Sequence, residues 1–181
     1  FRKLALENES KILLEVGNVL YVSNSSLINS KEFKEKKVYI QDASSYLAVT
    51  ALDVKDEEVV LDACAAPGGK TMAILQEYNP KVLVAGDIHE HKIKLLETLK
   101  KENNFKNLEI VLNDARNIEN MNRVFDKILL DVPCSGLGVL RKKPEKIYTL
   151  ENSEIKKIKK IQKEIFSSAY NSLAENGELV Y

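Results

Sequence analysis

Along the first forty residues, short apolar runs are separated by polar stretches. Phe1, Leu4 and Ala5 recur at helical spacing, and Ile12-Leu13-Leu14-Glu15-Val16 and Val19-Leu20-Tyr21-Val22 flank Gly17-Asn18 as the two arms of a hairpin. Residues 23–37 are polar and charged, which predicts a surface connection. Val38-Tyr39-Ile40 then leads into a helix over 43–52, with Asp42 placed to cap it and Tyr46, Leu47, Val49 and Ala51 on its covered side.

From Glu58 onward the pattern changes to apolar runs alternating with amphipathic stretches, the signature of a parallel sheet with helices on both faces. The runs predict strands over 59–62, 82–87, 108–112, 126–131 and 178–181, and helices over 70–78, 90–103 and 153–175. In the last helix Ile155, Ile158, Ile161, Ile165, Ala169 and Leu173 form a core stripe, and Lys156, Lys157, Lys159, Lys160 and Lys163 face water. Three of the strands end in an acid, at Asp62, Asp87 and Asp131, and Asp114 lies just past a fourth. Ligands of open parallel sheets bind outside the carboxyl ends of the strands, where the strand order reverses, so these carboxylates are expected to gather at one edge. Singly, each reads as a cap or turn residue; together with a Gly-rich loop after the first strand they point to a site.

Composition narrows the class. A 44% hydrophobic content suits a packed core, and Lys plus Arg (27) equals Asp plus Glu (27), so attraction to nucleic acid must come from local patches. No stretch approaches the ~20 apolar residues of a membrane span, and no signal-peptide pattern opens the chain; the expectation is a cytoplasmic protein. Cys64 and Cys134 stand far apart and without metal-ligand spacing, and His89-Glu90-His91 lacks the spacing of a helical zinc site, so no metal and no disulfide are expected. The start at Phe1 and the apolar run at Tyr181 suggest a piece of a longer protein.

The loop Cys64-Ala65-Ala66-Pro67-Gly68-Gly69-Lys70-Thr71 carries the chemistry. Adjacent glycines allow close backbone approach, and free N–H groups at a helix start favour an anion, either phosphate or carboxylate. The run is one residue from the phosphate-loop pattern, with Cys64 in place of the first Gly, and 125–131 resembles a magnesium-holding strand; a nucleotide hydrolase is therefore a rival reading. Against it, Cys64 and Pro67 should resist the phosphate-wrapping path. Asp87, about 20 residues beyond the glycines, suits hydrogen bonding to ribose hydroxyls, yet the dinucleotide Gly-x-Gly-x-x-Gly is absent. A ligand with an adenosine and a carboxylate but no phosphate fits best, and S-adenosylmethionine is such a ligand.

These motifs closely resemble the bacterial 16S rRNA cytosine-5 methyltransferases of the Sun/Fmu type and the wider RNA m5C methyltransferase group. The resemblance is carried by residues 41–45 (Gln-Asp-Ala-Ser-Ser), 62–71, Asp114-Ala115-Arg116, 131–138 (Asp-Val-Pro-Cys-Ser-Gly-Leu-Gly), 141–145 (Arg-Lys-Lys-Pro-Glu) and 177–181. It implies a Rossmann-like class I methyltransferase fold over residues 38–181, lacking its last strand hairpin, after a small α+β remnant of an RNA-binding module at 1–37. It further implies that Cys64, Ala65, Ala66, Pro67, Gly68, Gly69 and Lys70 hold the methionine end of the cofactor. Asp87 would take the ribose, Asp114 the adenine region, and Asp131 would sit between cofactor and target cytosine.

In the family a cysteine thiolate adds to cytosine C6, making C5 nucleophilic toward the methyl group, and an acid near N3 offsets the developing charge, a role suited to a protonated Asp131. The resemblance further implies that Lys70 would line the same pocket and that Cys134 would assist later steps and product release. The attacking cysteine of the RNA enzymes follows the strand that ends here at Tyr181, so it is expected beyond this chain, leaving the fragment inactive. In the DNA enzymes the Pro-Cys cysteine attacks instead, which is the other reading of Cys134. Arg141, Lys142 and Lys143 beside the Pro-Cys loop are candidates for phosphate contacts to ribosomal RNA. A cofactor-binding module without catalysis is a third reading.

Overall fold

The computed structural model describes residues 2–16, 19–35, 38, 40–139 and 151–181. The chain divides into two compact units, Phe1–Asp42 and Ala43–Tyr181.

In the first unit, helix α1 (Arg2–Glu7) precedes an antiparallel pair, β1 (Ile12–Val16) and β2 (Val19–Val22), as the apolar runs predict. The linking residues 17 and 18 lie outside the described ones. The polar segment that reads as a plain connection contains a 3-10 turn at Ser26–Asn29 and the short helix α2 (Lys31–Lys34), started by Ser30, whose hydroxyl accepts from the Phe33 N–H at 3.1 Å.

The second unit is a five-stranded parallel sheet: β3 (Val59–Asp62), β4 (Val82–Asp87), β5 (Leu108–Leu112), β6 (Phe125–Leu129) and β7 (Leu173–Val180), in spatial order β5-β4-β3-β6-β7. The chain builds outward from β3 to β5, then returns to the other side of β3, which places the reversal of strand order between β3 and β6. Successive side chains point to opposite faces and both faces are dry. Val60, Leu83, Ala85 and Leu129 pack with α3 (Ala43–Leu52), α4 (Gly69–Glu77) and α5 (Glu90–Asn103). On the other face Leu61, Val84, Phe125 and Ile128 pack with Ile118 of a 3-10 segment (Ala115–Met121) and with Ile165 and Ala169 of α6 (Asn152–Asn171).

Three expectations are corrected. On α3 the covered face is Tyr46, Val49 and Leu52, and Leu47 and Ala51 are exposed, because the helix meets the sheet along an i, i+3, i+6 line. The last helix stops at Asn171, so Leu173 is a strand residue, not the end of the helical stripe. And β7 begins five residues early: its register jumps from Phe125↔Leu173 to Lys127↔Glu178, and the extra residues are taken up by an irregular stretch with Asn176 at φ +66°. That stretch has no alternation, so the pattern hides it. Among the described residues no helix is long and apolar enough to cross a membrane.

Candidate functional site

The carboxyl ends of β3, β4, β5 and β6 are tied together beyond the ladder itself. Ala63 N donates to Leu129 O at 3.1 Å, Ala65 N to Gly86 O at 2.8 Å, and Asn113 N to Asp87 O at 3.1 Å. These bonds hold the loops in place at the topological switch. There a cavity of about 400 Å³ opens, with Asp87, Asp114 and Asp131 around it and Cys64, Ala66 and Pro133 in its wall. Three of the four carboxylates therefore meet, where the pattern predicts all four.

The Gly-rich loop turns at Gly68, whose φ of +107° lies in the left-handed region, and a Cβ there would come within 2.8 Å of Leu99 Cδ1. Only glycine satisfies both conditions. Gly68 N donates to Ala65 O at 2.8 Å, so this N–H and that of Ala65 are committed inside the chain. A phosphate cradle requires such groups to point inward at the ligand, which weighs against a nucleotide hydrolase. Of the loop residues expected to meet the ligand, Cys64 and Ala66 line the cavity, and Ala65, Pro67, Gly68, Gly69 and Lys70 are not among its lining residues. Lys70 reaches across from α4 to Asp131, Nζ to Oδ2 at 2.6 Å, and in this arrangement Asp131 is an ion-paired carboxylate. Asp131 stands two residues past the last residue of β6, not at its end.

Asp87 is nearly buried. Its Oδ1 accepts from the His89 N–H at 3.0 Å and its Oδ2 is 3.4 Å from Lys92 Nζ. Asp114 caps the 3-10 segment and is gripped by Arg116, which with its own backbone N–H holds the carboxyl below the usual carboxylate range. Burial, together with the charges of Asp62, Asp87 and Asp131, pushes the half-buried Cys64 thiol up to about 12, so it is an inert wall residue. Cys134 is exposed and is not among the residues lining the cavity.

The fourth acid lies beneath the site. Asp62 is fully buried; its Oδ2 accepts from Thr71 Oγ1 at 2.7 Å, and its Oδ1 has no hydrogen-bond partner. Desolvation pushes its carboxyl up to about 6. Such an orphaned atom under a ligand loop suits a cationic group on the ligand.

Sequence reasoning missed Lys92, Asn113 and Arg116 as cavity residues, and it assigned Ile161 and Ile165 to the core alone. Arg116 sits inside a quoted motif, and the i, i+4 isoleucines were visible. Which turn of α6 reaches the cavity depends on packing. Arg141, Lys142 and Lys143 lie outside the described residues. Among the described residues no His, Cys, Asp and Glu cluster has metal-holding geometry.

The strand order, the switch-point cavity and its ring of strand-end acids define the class: a Rossmann-like domain of the S-adenosylmethionine-dependent methyltransferases. The family model described as 16S rRNA methyltransferase RsmB/F matches residues 49–181, and the chain belongs to that family. Ribosomal RNA small subunit methyltransferase B of Vibrio vulnificus is 39% identical over 152 residues, covering 82% of this chain and 35% of that protein. The probable ribosomal RNA small subunit methyltransferase B of Bacillus subtilis is 40% identical over 152 residues, covering 82% and 34%. The chain thus spans about a third of the length of these relatives. The crystal structure of NSun6 from Pyrococcus horikoshii with SFG superposes with a TM-score of 0.76 at 30% identity, covering 90% of this chain and 43% of that one. A methyltransferase homolog protein from Pyrococcus horikoshii gives 0.73 at 29%, covering 88% and 50%.

Proposed function

We propose that the protein carrying this domain transfers a methyl group to C5 of a cytosine in small-subunit ribosomal RNA. The cofactor is S-adenosylmethionine, which supplies an electrophilic methyl group. The observation that carries the reading is the convergence of Asp87, Asp114 and Asp131 on one cavity that Pro133, next to Cys134 in the chain, also lines.

The residues present fit that cofactor. Asp87, anchored by the His89 N–H, offers a carboxylate to the paired hydroxyls of a ribose. Asp114 is an acceptor for the base, and the buried charge of Asp62 lies under the Cys64–Ala66 loop, at the end that would take the methionine moiety. Asp131, paired with Lys70 Nζ at 2.6 Å, is assigned to cytosine N3. Cys64 is excluded as the nucleophile by its burial and its thiol near 12. Cys134 is assigned to the later steps, and the attacking thiolate to a cysteine outside residues 1–181. Arg141, Lys142 and Lys143 are assigned to RNA phosphates on their sequence alone.

Two measurements test this. Calorimetric titration of the chain with S-adenosylhomocysteine and with ATP plus magnesium should show binding of the first only; binding of ATP alone refutes the cofactor assignment. The longer protein, given 16S rRNA carrying tritium at cytosine C5, should release tritium in step with methyl incorporation, because methylation displaces that hydrogen. Incorporation without release places the methyl elsewhere and refutes the C5 reading.

A further inference from the structure

We propose that Gln162 is a positioning residue: it fixes the peptide between Pro133 and Cys134 and so places the Cys134 thiol for the steps that follow methyl transfer. The inference rests on the assignment of Cys134 to those steps, proposed above.

The geometry is a single tie on a loop that has left the sheet. β6 ends at Leu129, and Leu130 N still donates to Val180 O at 2.8 Å. Farther on, Gln162 Nε2 of α6 donates to the Pro133 carbonyl oxygen at 2.9 Å. Among the described residues this is the only hydrogen bond to the backbone of residues 132–135. Pro133 has no N–H to offer, and its ring holds φ at about −65°. The direction of its carbonyl then sets ψ, the one soft angle left before a planar peptide. Fixing that carbonyl therefore fixes where the Cys134 Cα stands.

The donor is mounted on a firmly held helix. Ile165 and Ala169 of α6 are buried, and Ser168 Oγ accepts from the Ile118 N–H at 2.7 Å and donates to Glu119 at 2.8 Å. Ile161 and Ile165 line the cavity from α6 and Pro133 lines it from the loop, so the bond joins two elements that both face the ligand space.

A surface bond that only staples helix to loop is the plainer account, since Pro133 and Cys134 are both exposed. The distribution of ties separates the two accounts. Asp131 is held independently, by Lys70 Nζ at 2.6 Å and next to the Leu130 ladder bond, so losing the Gln162 donor frees the thiol and leaves the acid in place. The effect is then selective: cofactor binding and the first transfer persist, and the step that needs Cys134 slows.

The experiment has two readouts. On the 181-residue chain, a nitroxide attached to the exposed Cys134 reports its motion by electron paramagnetic resonance. In Gln162→Met it should tumble about threefold faster than in the wild type, while S-adenosylhomocysteine affinity by calorimetry stays within about twofold. On the longer protein with 16S rRNA, the first-turnover rate should stay within about threefold, and the steady-state rate at saturating RNA should fall by about tenfold or more. Gln162→Glu keeps the shape without a donor at neutral pH and should behave as Gln162→Met. Gln162→Lys restores a donor and should recover the steady-state rate to within about threefold. An unchanged nitroxide or steady-state rate in Gln162→Met, equal slowing of first and later turnovers, or wild-type turnover in Gln162→Glu overturns the proposal. A wild-type steady-state rate in Cys134→Ala refutes instead the assignment of Cys134 to the later steps, and this inference with it. Absence of transfer by the wild-type longer protein refutes the proposed activity itself.

Discussion

Asp62 offers a test in which the sign and the size of an effect both follow from the structure. Its side chain is fully buried, one oxygen bonded to Thr71 and the other bonded to nothing, and its carboxyl is pushed up to about 6 against an ordinary 3.8. Desolvation is the main cause; the Thr71 hydroxyl and Lys70 pull the other way but do not cancel it. Between these two values the native chain holds a proton that the unfolded chain has released, so stability falls as pH rises from about 4 to about 6 and stays lowered above. The gap of a little over two pH units corresponds to about 3 kcal/mol, at about 1.4 kcal/mol per unit. Asp62→Asn keeps the shape and an acceptor for Thr71 but removes the charge. The variant should therefore match the wild type near about pH 4 and exceed it by about 1–3 kcal/mol near about pH 7.5, the lower figure allowing for an amide nitrogen without an acceptor. Urea denaturation at a series of pH values, followed by far-UV circular dichroism because the chain has no tryptophan, reads the difference directly. A difference that is constant with pH, or a variant less stable than the wild type at neutral pH, refutes the reasoning. The same substitution should weaken S-adenosylhomocysteine binding by about tenfold or more, a cost of function for stability of the kind expected at a site built around an unpaired charge.

Gly68→Ala should lower stability by about 1–2 kcal/mol, chiefly from the left-handed backbone since the Leu99 methyl can move aside, and a thermal melt that is unchanged from the wild type would contradict the turn geometry. Iodoacetamide at mildly alkaline pH should alkylate the exposed Cys134 and leave Cys64 intact, because burial raises the Cys64 thiol to about 12. Peptide mass spectrometry distinguishes the two, and preferential modification of Cys64 would show that its environment is not the closed wall described.

Local pattern carried the fold a long way. The runs 59–62, 82–87 and 108–112 are strands as read, and 90–103 is a helix to the residue, because each element combines a clear period with a local stop signal such as Asp62, Asp87 or Asn104 in its left-handed C-cap. The site was legible to the same extent: a Gly-rich loop and acids at strand ends specify an edge, and the parallel order brings Asp87, Asp114 and Asp131 to one cavity. Where the chain departs from a period, pattern fails, as in the irregular start of β7 and the early end of α6. What only the tertiary structure decided is the state of each group. Asp62 and Asp131 belong to motifs of similar appearance, yet one is sealed under the loop with an orphaned oxygen and the other is exposed and paired with Lys70 from α4. Cys64 and Cys134 are one thiol type in two environments, one half-buried in the cavity wall and the other exposed. Charge state, accessibility and hydrogen-bond capacity depend on neighbours distant in sequence, and those neighbours are chosen by the closure of the sheet at β3 and β6, which no local spacing encodes.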